Sequence, residues 1–155
     1  MFPKTCRGPE YLCFFQDATT KVFFALKKKD NVENFKGQIT FNQQITSSDG
    51  DFDLDLANGK VTIHIPGVYQ FSFSGQGGYQ ISENTYVIVL KNGNEIFDIW
   101  DSSNSAGDVN NLSYVWMMEM QDGDTIQMNA GSHLYTDQYT HVTFTGELIE
   151  KQLSK

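Results

Sequence analysis

Apolar and polar residues alternate with a two-residue period through most of this chain, and helical periodicity is scarce. Lys60-Val61-Thr62-Ile63-His64-Ile65 alternates and stops at Pro66-Gly67. Alternation resumes in Val68-Tyr69-Gln70-Phe71-Ser72-Phe73-Ser74. Such windows predict half-buried strands, because successive side chains point to opposite faces of a sheet. Pro66 has no N–H to give to a ladder and Gly67 accepts backbone angles that other residues avoid, so the pair predicts a sharp corner between two strands. Strand windows are predicted at 22–27, 38–42, 51–56, 60–65, 68–74, 85–91, 95–100, 112–120, 125–129 and 141–149. They are separated by turn pairs such as Asp49-Gly50, Asn58-Gly59, Asn92-Gly93 and Asp122-Gly123. About ten short strands punctuated in this way predict an all-β sandwich, of which the jelly roll is a common form.

Some windows depart from simple alternation. Val87-Ile88-Val89-Leu90 is continuously apolar, as in a strand buried on both faces, and a neighbouring subunit is one way to cover the second face. Tyr114-Val115-Trp116-Met117-Met118-Glu119-Met120 also carries large apolar groups on both faces, except at Glu119. Asp51-Phe52-Asp53-Leu54-Asp55-Leu56 instead puts its acids on one face. No linker, repeat or collagen-like Gly-X-Y tract interrupts the pattern. The expected organisation is an N-terminal arm over 1–20, one domain over 21–150 and a short tail over 151–155.

Composition narrows the function classes. The 155 residues carry a formal net charge of −8 and 14% aromatics, including 12 Phe. The aromatics favour strands, and the charge disfavours a nucleic-acid partner. The basic run Lys27-Lys28-Lys29 is expected in a solvated loop. No apolar run approaches the ~20 residues of a membrane helix, so membrane insertion is not expected. The opening MFPKTCRGPE shows no apolar signal-peptide core. Both cysteines, Cys6 and Cys13, lie in the arm, so the domain core does not depend on a disulfide. They read either as incidental thiols or as a small loop or inter-subunit staple in an oxidising compartment.

Catalytic signals are missing. His64, His133 and His141 show no metal-ligand spacing, and no nucleophile elbow, P-loop or dinucleotide fingerprint is present. The acidic stretch from Asp49 to Asp55 fails the EF-hand pattern, which needs Gly at position 6 and Glu at position 12. It reads as a solvated strand face. Asn111-Leu112-Ser113 is an N-glycosylation sequon at Asn111. The segment 131–139 reads as a loop before the last strand. Its rings and hydrogen-bonding groups suit a sugar, with His133, Tyr135, Asp137, Tyr139 and His141 as candidate ligand-binding residues.

Taken in order, the motifs resemble the globular-head domain of complement component 1q, a family in the tumour-necrosis-factor-like superfamily. The resemblance is carried by Val22-Phe23-Phe24-Ala25-Leu26, Ile39-Thr40-Phe41-Asn42, Phe52-Asp53 and Asn58-Gly59-Lys60-Val61. It continues through Ile65-Pro66-Gly67-Val68-Tyr69-Gln70-Phe71-Ser72, Leu90-Lys91-Asn92-Gly93, Gln121-Asp122-Gly123-Asp124-Thr125-Ile126 and Val142-Thr143-Phe144-Thr145-Gly146-Glu147-Leu148-Ile149. It implies a ten-stranded jelly-roll sandwich that assembles as a homotrimer. Tyr69, Val87, Val89 and Trp116 are expected near the threefold axis; the alternative is that they fill the protomer core. Some members bind Ca²⁺ near the trimer apex, which makes Asp101 and Asp108 the first metal candidates by position. The implied function is a non-enzymatic, secreted recognition module for carbohydrate or microbial surface ligands. The rivals are a trimeric protein ligand that clusters a receptor, and an extracellular-matrix component.

Overall fold

The computed structural model describes residues 21–29, 34–78, 83–101 and 110–152. Eleven strands form within them: β1 (Phe23–Lys28), β2 (Phe35–Gln38), β3 (Gln43–Ser47), β4 (Phe52–Asp55), β5 (Lys60–Ile63), β6 (Gly67–Gly77), β7 (Thr85–Lys91), β8 (Asn94–Asp101), β9 (Asn111–Met120), β10 (Thr125–Tyr135) and β11 (Val142–Lys151). A single 3-10 turn, Leu56–Asn58, is the one helical element among the described residues.

All described strand pairings are antiparallel. They trace two layers of five strands, β3–β1–β11–β6–β9 and β4–β5–β10–β7–β8. Pairing of Leu134 with Gly77 and Tyr135 with Gln76 joins the layers at one end, which closes the jelly roll. The eleventh strand, β2, extends the β5 side of β10 through Asn129↔Gln38 and Ala130↔Gly37. The predicted window at 38–42 is therefore misplaced. Its apolar residues Ile39 and Phe41 are buried core, but they lie in the link between β2 and β3.

The corner at Pro66-Gly67 exists, for a reason other than backbone angle. Gly67 opens β6, and a Cβ there would lie 2.2 Å from the Glu150 carbonyl oxygen on neighbouring β11. Close approach of two strands excludes a side chain. From that corner β6 alternates buried and half-buried positions over all eleven residues. Its inward Tyr69, Phe71 and Phe73 anchor an aromatic core. The Phe71 ring centroid lies 5.6–6.4 Å from those of Phe24, Tyr69, Trp116 and Phe144. Aromatic pairs at such distances add about 0.5–1.5 kcal/mol each beyond burial. The Tyr69 hydroxyl donates to the Ile65 carbonyl at 2.7 Å, and burial, with Asp51 nearby, pushes its ionisation well above the ordinary range.

Two expectations are corrected here. Lys27 and Lys28 belong to β1 rather than to a loop. Lys28 is buried to 8% exposure, with Nζ 3.2 Å from Thr40 Oγ1 and 5.2 Å above the Phe35 ring. The four residues expected at the trimer axis fill the protomer instead. Tyr69, Val87 and Val89 are fully buried within one chain and Trp116 nearly so, which leaves no face of theirs for a neighbour.

Candidate functional site

Large apolar groups reach the surface in two places. The first is β9. Among the described residues it pairs only with β6, so its other side is an open sheet edge. Val115 and Met117 point away from the core and are 57% and 66% exposed. Tyr114, 46% exposed, closes the gap to β8, with its ring 5.8 Å from Phe97. The indole N–H of Trp116 beneath is buried and finds no acceptor among the described residues. Register places Val115 beside Ser72 and Met117 beside Gln70, on the same outward face as the hydroxyl pairs Ser72–Thr145 (2.5 Å) and Ser74–Thr143 (2.6 Å). A groove of about 490 Å³ continues that face past Gln70 and Thr145 to Lys21 and Phe23. A long edge strand with exposed apolar side chains is a ready surface for another chain.

The second place is the outward face of the opposite layer. Trp100, on β8, is 56% exposed and stacks on Tyr86 of β7, with centroids 4.6 Å apart and planes 11° from parallel. Tyr86 lies flat against Gly131 on β10, where a Cβ would fall 1.9 Å from a Tyr86 ring carbon. His133 follows two residues later on the same face. Glu83 Oε1 accepts its backbone N–H at 2.6 Å and lies 2.6 Å from its Nδ1. Burial raises the Glu83 pKa, but the two bonds from His133 outweigh it, and the net shift is downward.

The predicted sugar-binding residues separate on this framework. Residues 131–135 belong to β10 rather than to a loop, because alternation there continues without a break. Asp137 holds the following turn. It accepts the N–H groups of Thr140 (2.5 Å) and Tyr139 (2.7 Å) and the Tyr135 hydroxyl (3.1 Å), bonds that lower its pKa. Its oxygens are thereby occupied with local structure, as in an Asx turn. Tyr139 is 80% exposed beside it. His141 Nδ1 is buried without a partner among the described residues; desolvation, with Lys27 and Lys29 nearby, lowers its pKa. His133, and Tyr135 one step further along β10, share the side of the sheet that carries the Trp100–Tyr86 pair.

For the remaining candidates, Asp101 ends β8 opposite Thr85, whereas Asp108, Cys6 and Cys13 lie outside the described residues. Asn111 is exposed at the start of β9. Among the described residues no group of three or more His, Cys, Asp or Glu side chains is placed to hold a metal ion. His64 joins two carboxylates, with Nε2 3.0 Å from Asp53 and Nδ1 3.5 Å from Asp122. These carboxylates, Asp53 foremost, raise the His64 pKa, and the cluster ties β4 and β5 to the turn after β9. No described helix is long and apolar enough to cross a membrane.

Two five-stranded antiparallel layers closed at one end define a jelly roll of the C1q- and tumour-necrosis-factor-like class, whose domains form trimers. The C1q domain family model matches residues 22–149, and the chain belongs to that family. It is similar to human complement C1q and tumor necrosis factor-related proteins 9B and 9A, at 34% and 33% identity over 98 residues. Those residues cover 61% of this chain and 28% of each relative, so the matched region spans under a third of their length. Among solved structures it is similar to the globular domain of zebrafish complement 1qA protein. The TM-score is 0.65 at 19% identity, covering 85% of this chain and 100% of that one. It also matches the crystal structure of murine APRIL with a TM-score of 0.62 at 14% identity, covering 81% and 98% of the two chains. These two likenesses concern the fold. Nothing in the family or its relatives points to an enzyme.

Proposed function

We propose that the chain is a non-enzymatic, extracellular recognition module that works as a homotrimer and binds carbohydrate or microbial surface polymers. The observation that carries the assembly is the apolar β9 edge, where Tyr114, Val115 and Met117 are about half exposed or more on one chain. Closed threefold symmetry covers such a surface three times over with one contact type. Contacts of this kind bury roughly 800 Å² per partner in stable complexes, and the outward face of β9 and β6 continues into a groove that extends the available area. The secreted location follows the C1q- and tumour-necrosis-factor-related relatives. Ca²⁺ bound through Asp101 and Asp108 belongs to the same reading as its metal component.

The test is binding of the purified chain to arrayed glycans, lipopolysaccharide and peptidoglycan, with and without a calcium chelator. Retention on at least one polymer is expected, and a chelator-sensitive signal supports the metal component. Silence on every surface contradicts recognition. A second reading, a trimeric protein ligand that clusters a receptor, is favoured by the sequence likeness to the C1q and tumor necrosis factor-related proteins.

A further inference from the structure

We propose that the outward face of the β4–β5–β10–β7–β8 layer carries a carbohydrate subsite, in which Trp100 presents a flat indole to the apolar face of a pyranose ring. This rests on the recognition reading above and gives it a place and a binding mode. Tyr86 pairs with Trp100 across β7 and β8, and their near-parallel rings at 4.6 Å fix the orientation of the exposed indole. Gly131 lets the lower ring lie against the backbone of β10, so Tyr86 and Trp100 stand as a two-ring stack on a strand floor. Single exposed apolar residues are common, but one whose orientation is set by a second ring meets a ligand with little ordering cost left to meet.

The surroundings of the stack select a sugar over a protein surface. One register step along the same face, about 7 Å away, Asp98, Ile88 and Asn129 form a cross-strand row. Asp98 is half-buried in that row, and a carboxylate there is an acceptor for a sugar hydroxyl at the rim of the indole. Asn129 offers both a donor and an acceptor. On the other side of the stack, His133 is steadied by Glu83. A pyranose has this make-up, with one C–H face ringed by hydroxyls. A protein partner favours a wider exposed apolar centre, as Val115 and Met117 give at β9, whereas here the flanking Ile88 and Leu90 are half-buried and Trp100 is the most exposed apolar group. In a trimer the subsite is present three times, so weak single-sugar contacts add up on a repeating polymer.

The test compares wild type with Trp100→Ala, Trp100→Phe and Gly131→Ala on arrayed neutral oligosaccharides, lipopolysaccharide and peptidoglycan. Ile45→Ala serves as the control, because Ile45 is as exposed as Trp100, at 56%, on β3 in the opposite layer. The expected result is binding by wild type and I45A, at least tenfold weaker binding by W100A, partial retention by W100F and a loss in G131A, where Tyr86 is displaced. Equal binding by wild type and W100A overturns the subsite and leaves the recognition reading standing. No binding by wild type overturns both. Should W100A fail to fold, the wild-type protein decides. Its two tryptophans give two indole N–H signals, and titration with the methyl glycoside of the best array sugar shifts that of Trp100 if the subsite exists and leaves it unmoved if it does not.

Discussion

The β9 edge and the Trp100 platform both expose apolar side chains on antiparallel sheet, yet they differ in what they can hold. On β9 the exposed Val115 and Met117 share one face with Tyr114 at the gap to β8, and among the described residues the strand's second edge is unpaired and the Trp116 N–H is sealed beneath without an acceptor. The platform is one exposed ring braced by a second, flanked on β7 by half-buried Ile88 and on β8 by Asp98; β8 is likewise an outer strand, paired among the described residues with β7 alone. The difference teaches that exposed apolar area alone does not define a partner. Several strongly exposed apolar side chains on one face suit a second copy of the chain, whereas a single rigid ring with hydrogen-bonding neighbours suits a small polar ligand.

The comparison breaks most sharply under charge. Val115→Asp with Met117→Asp puts two carboxylates into the proposed contact, and unpaired buried charges cost several kcal/mol. The double variant is expected to elute as a monomer in size-exclusion chromatography with light scattering, while Trp100→Ala elutes as wild type. Dissociation by W100A as well would erase the distinction between the two surfaces.

A smaller effect is expected from Gly131→Ala. The added methyl meets the Tyr86 ring, and overpacking of this kind costs about 1–3 kcal/mol. Urea denaturation should show that loss without a change in oligomeric mass. The same substitution at an open turn such as Gly123, where nothing lies within 4 Å, meets no ring, and only its positive φ of 85° resists.

The smallest effects are those of pH, and the two histidines away from the platform act in opposite directions. Asp53 and, less, Asp122 raise the His64 pKa above the ordinary histidine value of about 6.5. Its contribution is therefore complete below pH 6.5 and lost as pH rises through the folded-state value. The His141 pKa is lowered by desolvation and by Lys27 and Lys29. Its contribution is present above pH 6.5 and lost as pH falls toward its folded-state value. Stability measured from pH 5 to 9 should lose its alkaline slope in His64→Gln and part of its acid slope in His141→Gln. Unchanged profiles in both variants would contradict these local environments.

Much of the sandwich was legible because alternation is a local signal. β5, β6 and β11 begin and end within a few residues of their predicted windows, and Asn92, at φ 52°, makes the tight β7–β8 turn that its Asn-Gly pair predicts. The link at 39–42 was misread because Ile39 and Phe41 alternate like a strand while their backbone only joins two strands. The trimer residues were misread for a related reason. A continuous apolar run shows that both faces of β7 are covered, but not whether the cover is another layer or another chain. Ile88 and Leu90 are only half-buried, whereas Val87 and Val89 fill the protomer. The Trp100–Tyr86 stack escaped notice because it joins residues on different strands. Its one local trace is the alternation of Phe97 and Ile99 against Asp98 and Trp100, which sets a tryptophan on a polar face. Asp137 looked like a ligand for sugar hydroxyls, and only the turn geometry shows its oxygens already engaged.

Sedimentation equilibrium of the wild-type chain at micromolar concentration tests most directly whether the β9 edge is completed by copies of the same protein. The account predicts a single species of three times the 17.6 kDa chain mass. A stable species of one chain mass, with Val115 and Met117 left in water, would contradict it.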